Sequence, residues 1–373
     1  MKKLAIIALA AFLALPAMAA KPLTFVASEE LSYDDNIYLD HYGKKDAGIS
    51  TTRLGANYNT NIPNSALKFD ANAMVGYHAY TRDHDVNNYW DALGGVELAN
   101  KQFTIGDKIL YTSDPANNEL TERTKRLQND AYISYVTSTE KMFGAGLFAE
   151  DIYNRYFESY MSYLNRNRLN LGAQLYYNIS PKTNFFVEYM FSDIAYKDYE
   201  INDSKNHSIG LGVKGQVAPK VTGLAKVTYD LRKYDEELDG KDEKDLVGYL
   251  VSLEWKPTTV NTIRLTGERN LKETKFDNNR YFKDTTLSLY ADQKLNNKLT
   301  AHVTLIWDQM HYDHYVSGMK RADDLFLVRP GVDYQFKDWL TAGVWYQFRA
   351  RHSTLNEAEY ENNKAGVFVR ALF

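Results

Sequence analysis

Eight short turn signals, spaced almost evenly, restrict what this chain can fold into more than any other feature of the sequence. They are Asn61-Ile62-Pro63-Asn64, Asn100-Lys101, Thr137-Ser138-Thr139-Glu140, Ser180-Pro181-Lys182, Ala218-Pro219-Lys220, Lys256-Pro257-Thr258-Thr259, Asn296-Asn297 and Lys337-Asp338. Successive starts lie 39, 37, 43, 38, 38, 40 and 41 residues apart. Such even spacing implies one repeating unit rather than several domains. Between consecutive short turns lies a longer polar stretch, near residues 40–47, 82–88, 113–124, 151–161, 194–206, 234–244, 271–283, 312–322 and 352–362. Eight short turns and nine long loops delimit 18 strands, with 16 the alternative count. Each strand pairs with its sequence neighbour through a hairpin.

The segments between these breaks alternate. Phe185, Val187, Tyr189 and Phe191 oppose Asn184, Glu188 and Ser192. Val221, Gly223, Ala225, Val227 and Tyr229 oppose Thr222, Lys226, Thr228 and Asp230, and Leu299 to Trp307 behaves the same way. One apolar and one polar face per strand is the period of a wall between lipid and water. A soluble sandwich also alternates, but it needs no aromatic bands at the strand ends. Here Phe143, Phe185, Trp255, Phe336 and Phe373 sit on the apolar face beside the short turns, as a membrane-interface girdle does. The predicted fold is therefore all-β: an antiparallel up-and-down transmembrane β-barrel of 18 strands. Three strands fit less well. Asp107 interrupts an apolar face and Pro330 lies inside a strand, so a bulge is expected at each. The first strand alternates weakly.

Composition agrees. Tyr is present 29 times and Phe 17 times, against eight prolines and a mean hydropathy of −0.48. Many aromatics with modest hydropathy suit strands that show only every second residue to lipid. No stretch approaches the roughly 18 apolar residues of a membrane helix. The absence of cysteine removes disulfide scaffolds, Cys-based zinc sites and thiol catalysis. Lys2 and Lys3, the apolar run Leu4–Leu15 and Ala17-Met18-Ala19 read as a secretory signal peptide over residues 1–19, leaving a single barrel domain over 20–373. Removing Lys2 and Lys3 takes 44 basic residues to 42 against 48 acidic ones, a formal charge of −6. That balance argues against nucleic acid as a partner.

A barrel of this size encloses an aqueous channel, so the polar face predicts its lining. The pore-lining candidates are Arg53, Lys68, Asp130, Arg166, Arg168, Glu188, Lys226, Asp230, Arg232, Arg264, Glu268, Arg329, Arg349 and Arg370. The whole inward set carries 13 basic and 12 acidic residues, which predicts weak charge selectivity. The bland role for these charges is pairing across neighbouring strands. Tyr132, Phe148, Tyr176, Phe186 and Tyr290 also face inward, either as a sugar-stacking track or as packing beneath an inward-folded loop.

Catalytic signatures are weak. Asp308, His311, Asp313 and His314 cluster where the fifteenth strand reaches the outer rim, and an Asp–His pair is the chemistry that activates water. Residues three apart on a strand point to opposite faces, however, which favours a solvated loop. There is no Gly-x-Ser-x-Gly, P-loop or His-Glu-x-x-His. Neither a cofactor, a metal nor a catalytic residue is expected, and the chain reads as a non-enzyme.

The final residues AGVFVRALF form an alternating strand ending on Phe373. This ending resembles the barrel-assembly signal of bacterial outer-membrane β-barrel porins. Tyr33-Asp34-Asp35-Asn36-Ile37-Tyr38 resembles the opening of the putative β-barrel porin family associated with exopolysaccharide loci. Trimeric general porins carry an acidic constriction loop after their fifth strand. Residues 113–124 depart from that pattern, offering only Asp114, Glu119 and Glu122. The resemblance implies passive diffusion of small hydrophilic solutes or ions through the outer membrane of a diderm, Gram-negative-type bacterium. Both termini would be periplasmic. The implied partners are outer-membrane lipid, lipopolysaccharide and the barrel-assembly machinery, with a homo-oligomer left open. A dedicated saccharide or exopolysaccharide conduit, a rim hydrolase using Asp308, His311 and Asp313, and a surface adhesin are the alternatives.

Overall fold

The structure, a computed structural model, describes residues 22–114, 123–137, 141–180, 182–198, 202–238, 241–276, 279–316 and 319–373. The predicted signal segment, residues 1–19, lies outside the described residues, as does the side chain of His314. Eighteen antiparallel strands follow one another around a single sheet. The first six are β1 (Leu23–Asp34), β2 (Ala47–Asn61), β3 (Lys68–Tyr80), β4 (Tyr89–Ala99), β5 (Phe103–Asp114) and β6 (Thr124–Val136). Next come β7 (Phe143–Tyr156), β8 (Arg166–Ser180), β9 (Thr183–Tyr196), β10 (Ser204–Ala218), β11 (Val221–Leu238) and β12 (Lys241–Trp255). The last six are β13 (Asn261–Glu273), β14 (Tyr281–Lys294), β15 (Leu299–Val316), β16 (Met319–Lys337), β17 (Leu340–Ser353) and β18 (Tyr360–Leu372).

The sheet closes on itself. β1 pairs with β18 from Val26↔Leu372 to Asp34↔Lys364, and Phe25 and Phe373 exchange backbone hydrogen bonds of 2.9 Å. Closure leaves no strand edge, the condition for a sheet in lipid, where unpaired backbone groups find no water. Every predicted short turn falls between two strands of a hairpin. Asn64 and Lys220 adopt left-handed conformations there, with φ of 57° and 63°.

Paired residues share a face, so the register carries one parity around the whole barrel. It sends Leu31, Leu54, Val227, Val247, Leu305, Val344 and Val367 outward, and all are exposed. Phe143, Phe185, Trp255 and Phe336 are outward and exposed near the short-turn ends, and the Phe373 ring stacks on Trp339 at 5.8 Å.

Three expectations need correction. The ladders on both sides of Asp107 run without a shift, so it faces outward in register and makes no bulge. Pro330 stays paired with Val303. The β16–β17 ladder skips it and resumes in the same register at Gly331↔Trp345, because losing one N–H removes a bond without inserting a residue. Residues 234–244 and 312–322 are mostly strand rather than loop. β11 and β15 run on for 18 residues each, since polar side chains on both faces suit a hairpin standing in water.

Candidate functional site: a lumen narrowed by an inward-folded hairpin

All fourteen predicted lining residues carry the inward parity. What each side chain does there differs. Some pair across the wall: Lys226 donates to Glu188 at 2.5 Å, Arg264 to Glu254 at 2.8 Å and Arg53 to Asp91 at 3.4 Å, while Glu268 accepts from Lys272 of its own strand at 2.8 Å. Asp130 accepts both hydrogen bonds of the Gln128 amide, and Asp230 accepts from Thr228. Lys68 is exposed at the short-turn end of β3.

Others stand on aromatic rings. Arg329 lies 4.1 Å from the Trp345 ring centre, Arg349 5.5 Å from Tyr360, Arg370 5.9 Å from Phe368 and Arg166 5.7 Å from Tyr196. Lys214 lies 4.1 Å from Tyr176, and Lys108 4.9 Å from Tyr132. These inward rings lie flat against the wall. Tyr132 covers Gly106, Phe148 covers Gly172, Phe186 covers Gly212, and Trp345 covers Gly366, each a glycine on an adjacent strand. A β-carbon at any of these glycines would collide with the ring, so only glycine lets the aromatic lie down. Tyr132, Tyr176, Phe186, Tyr290 and Trp345 lie under cations, while Phe148 packs on its glycine alone.

The bore is narrowed from its outer end. β12 and β13 separate after Tyr249↔Arg269, although both continue beyond it. The end of β13 then turns inward. Leu271, outward by parity, is buried with the inward Tyr234 and Leu246, and with Tyr281. Glu273 is gripped by two arginines from other walls of the barrel. Arg232 of β11 donates to Oε1 at 2.9 Å, and Arg168 of β8, five strands away, donates to Oε2. The loop beyond continues the bridge. Lys275 O accepts from Tyr163 Oη at 2.7 Å, in the short 3-10 turn Ser159–Leu164. Phe276 packs against Tyr312, and Arg280 donates to Glu236 O at 2.6 Å. The sequence placed Glu273 in a solvated loop; no local pattern marks a loop that folds back inside.

On the far side, nine strands from β10, the β1–β2 loop roofs a polar cavity of about 270 Å³. Glu30, Arg53, His78, Arg123, Arg349 and Lys364 face it. Here the Tyr33–Tyr38 segment has a clear structural task. Asp34 and Asp35 accept hydrogen bonds from Asn362 and Asn363 of β18, and Asn36 Nδ2 donates to Glu361 O. Tyr38 donates to Asp83 at 3.0 Å. The motif clamps the closing seam at its outer end.

The proposed rim triad is not assembled. Asp308 points into the lumen and bonds Thr286, whereas His311 is exposed on the opposite face of β15.

Several solved structures share this architecture. OpdK of Pseudomonas aeruginosa is 9% identical with a TM-score of 0.54, covering 94% of this chain and 99% of its own. OccAB4 of Acinetobacter baumannii is 11% identical with a TM-score of 0.51, over 95% and 99%. A BenF-like porin from Pseudomonas fluorescens Pf-5 is 11% identical with a TM-score of 0.52, over 94% and 98%. At such identities the likeness speaks to the fold. No curated protein sequence matches the chain. A family model matches residues 159–373, more than half of the chain and the part that carries the inward hairpin and the closing strand. The chain belongs to the β-barrel porin family described as "Putative beta-barrel porin 2".

Proposed function

We propose that this outer-membrane porin passes small hydrophilic solutes and ions by diffusion, along the side of the lumen that the β13–β14 hairpin leaves free. The observation that carries this reading is the Glu273 bridge from β13 to Arg168 and Arg232, which narrows the bore with no plug domain among the described residues. A solute then passes between the hairpin and the polar wall of β17, β18, β1 and β2. The lining mixes signs, with Arg53, Arg123, Arg349 and Lys364 beside Glu30 and Asp34, and the near-equal numbers of basic and acidic inward residues over the whole wall keep overall charge selectivity mild. A stacking track for saccharides is less well supported. Lys214 covers Tyr176, Arg329 covers Trp345 and Arg264 covers Tyr290, so those ring faces are already taken. No step of this transport needs bond chemistry.

The reading includes a cleaved signal over residues 1–19, a barrel over 20–373 delivered by the barrel-assembly machinery, periplasmic termini, and lipopolysaccharide around the outer rim. Liposome swelling tests the transport claim. Proteoliposomes should swell in small neutral sugars at rates that fall steeply as solute size grows. Equal rates for a monosaccharide and a tetrasaccharide, or no swelling at all, would refute a narrowed diffusion channel.

A further inference from the structure

The cavity beneath the β1–β2 loop carries more positive charge than the chain itself neutralises. Arg53, Arg123, Arg349 and Lys364 face it, against Glu30 and Asp34. Arg53 and Lys364 have carboxylates of their own: Arg53 donates to Asp91 at 3.4 Å, and Lys364 lies 3.8 Å from Asp34. Among the described residues no carboxylate reaches Arg123 or Arg349, and both are half-buried. Arg123 lies 4.3 Å from the Tyr89 ring centre and donates to two neutral oxygens, Ser113 O at 2.8 Å and Tyr80 Oη at 3.0 Å. Arg349 stands on the Tyr360 ring. In both, the Nε hydrogen is buried and bonds nothing. Neutral partners leave the guanidinium charge in place, and partly desolvated charge without a counter-ion is costly.

The two cations come from opposite flanks of the cavity. Arg349 belongs to β17, whereas Arg123 precedes β6 and reaches over Tyr80 of β3 and Tyr89 of β4. Across the space between those flanks stand Asn36, bonded to Asn362 of β18, and Ile49, cross-strand from Tyr80, with Ile37 and Leu39 in the roof. The roof is fixed. Asn36 is fully buried, its side-chain amide exchanging hydrogen bonds of 3.0 and 2.9 Å with the Asp40 backbone, and Ile37 N donates to Lys45 O at 2.9 Å. A preformed site loses little ordering entropy on binding.

We propose that this cavity binds a small organic dianion charged at its two ends, a short-chain dicarboxylate, with one carboxylate on Arg123 and the other on Arg349. Charge sets the valence, because two guanidinium groups lack a counter-ion and each matches one carboxylate. Placement sets the shape, because cations on opposite flanks suit a two-ended ligand rather than one compact oxyanion. The volume of about 270 Å³ restricts the ligand to a small molecule. The site lies on the side of the lumen that the hairpin leaves free. It therefore deepens the diffusion reading, and only the onward passage of the dianion rests on that reading.

Calorimetric titration of the purified, folded barrel in detergent tests binding without a membrane. Glutarate should bind saturably at one site, about tenfold tighter than pentanoate, which has the same chain length and one carboxylate. Arg123→Gln and Arg349→Gln should each lower glutarate affinity about tenfold, as expected for loss of one charge-assisted pair. Heat-modifiable gel mobility shows that each variant is folded. Should Arg123→Gln not fold, because Arg123 also ties Ser113, Arg349→Gln carries the test alone. Glutarate and pentanoate binding alike, inorganic phosphate competing as tightly as glutarate, or affinity indifferent to Arg349 overturns the proposal. No glutarate binding alongside intact conductance steps overturns the site and leaves the channel; saturable binding without conductance does the reverse.

Discussion

Phe148 and Gly172 show at the scale of one residue how the lumen stays open. The ring lies over the glycine of the next strand, so an inward aromatic adds apolar packing to the wall without standing across the channel. Gly172→Ala forces the ring to lift, and overpacking of this kind costs about 1–3 kcal/mol. The expected outcome is a folded barrel whose unheated gel band is lost at a lower temperature and whose conductance is reduced. Unchanged conductance with a clear stability loss would place the ring's effect in the wall alone. The sequence made the inward direction of Phe148, Tyr176, Phe186 and Tyr290 legible, because parity is local. It did not reveal that most of these rings lie on cross-strand glycines, or that cations cap the faces of several, because those partners come from other strands. For the same reason Arg329 and Arg370 read as lining charges with acidic partners across the strands, when each stands on a ring.

The β13–β14 hairpin is the element that distinguishes this barrel's bore. Its inward turn begins where β13 leaves β12, and it is fixed by a carboxylate between two guanidinium groups. Glu273 and Arg232 side chains are 9% and 7% exposed, so removing the acid leaves buried positive charge unmatched. Breaking such a pair from one side costs about 3–5 kcal/mol. Glu273→Gln should therefore free the hairpin, raise single-channel conductance and weaken size discrimination in the swelling assay. Conductance equal to that of the parent would mean that apolar packing of Leu271, Tyr281 and Phe276 holds the hairpin unaided. Element boundaries followed a similar logic. Short turns were legible because Asn, Pro and Ser encode them locally. The outer ends were not. Polar side chains on both faces of 234–244 and 312–322 read as loop, while the structure extends them as hairpins. Glu273 fell inside such a stretch, 271–283, so the residue that narrows the lumen carried no signal of its own.

At the scale of the whole molecule, inside and outside follow from one parity carried through 18 ladders and closed by β1 on β18. That closure was foreseeable from even turn spacing and alternation, because a sheet bathed in lipid admits no open edge. The depth of the constriction was not, since it depends on a contact between β13 and β8, 105 residues earlier in the chain. The central claim is that a continuous water path remains beside the hairpin. Single-channel recording in planar bilayers tests it most directly. Purified, heat-modifiable protein should insert to give discrete, ohmic conductance steps with only mild preference for cations or anions. A folded barrel that inserts and yields no steps would contradict an open lumen.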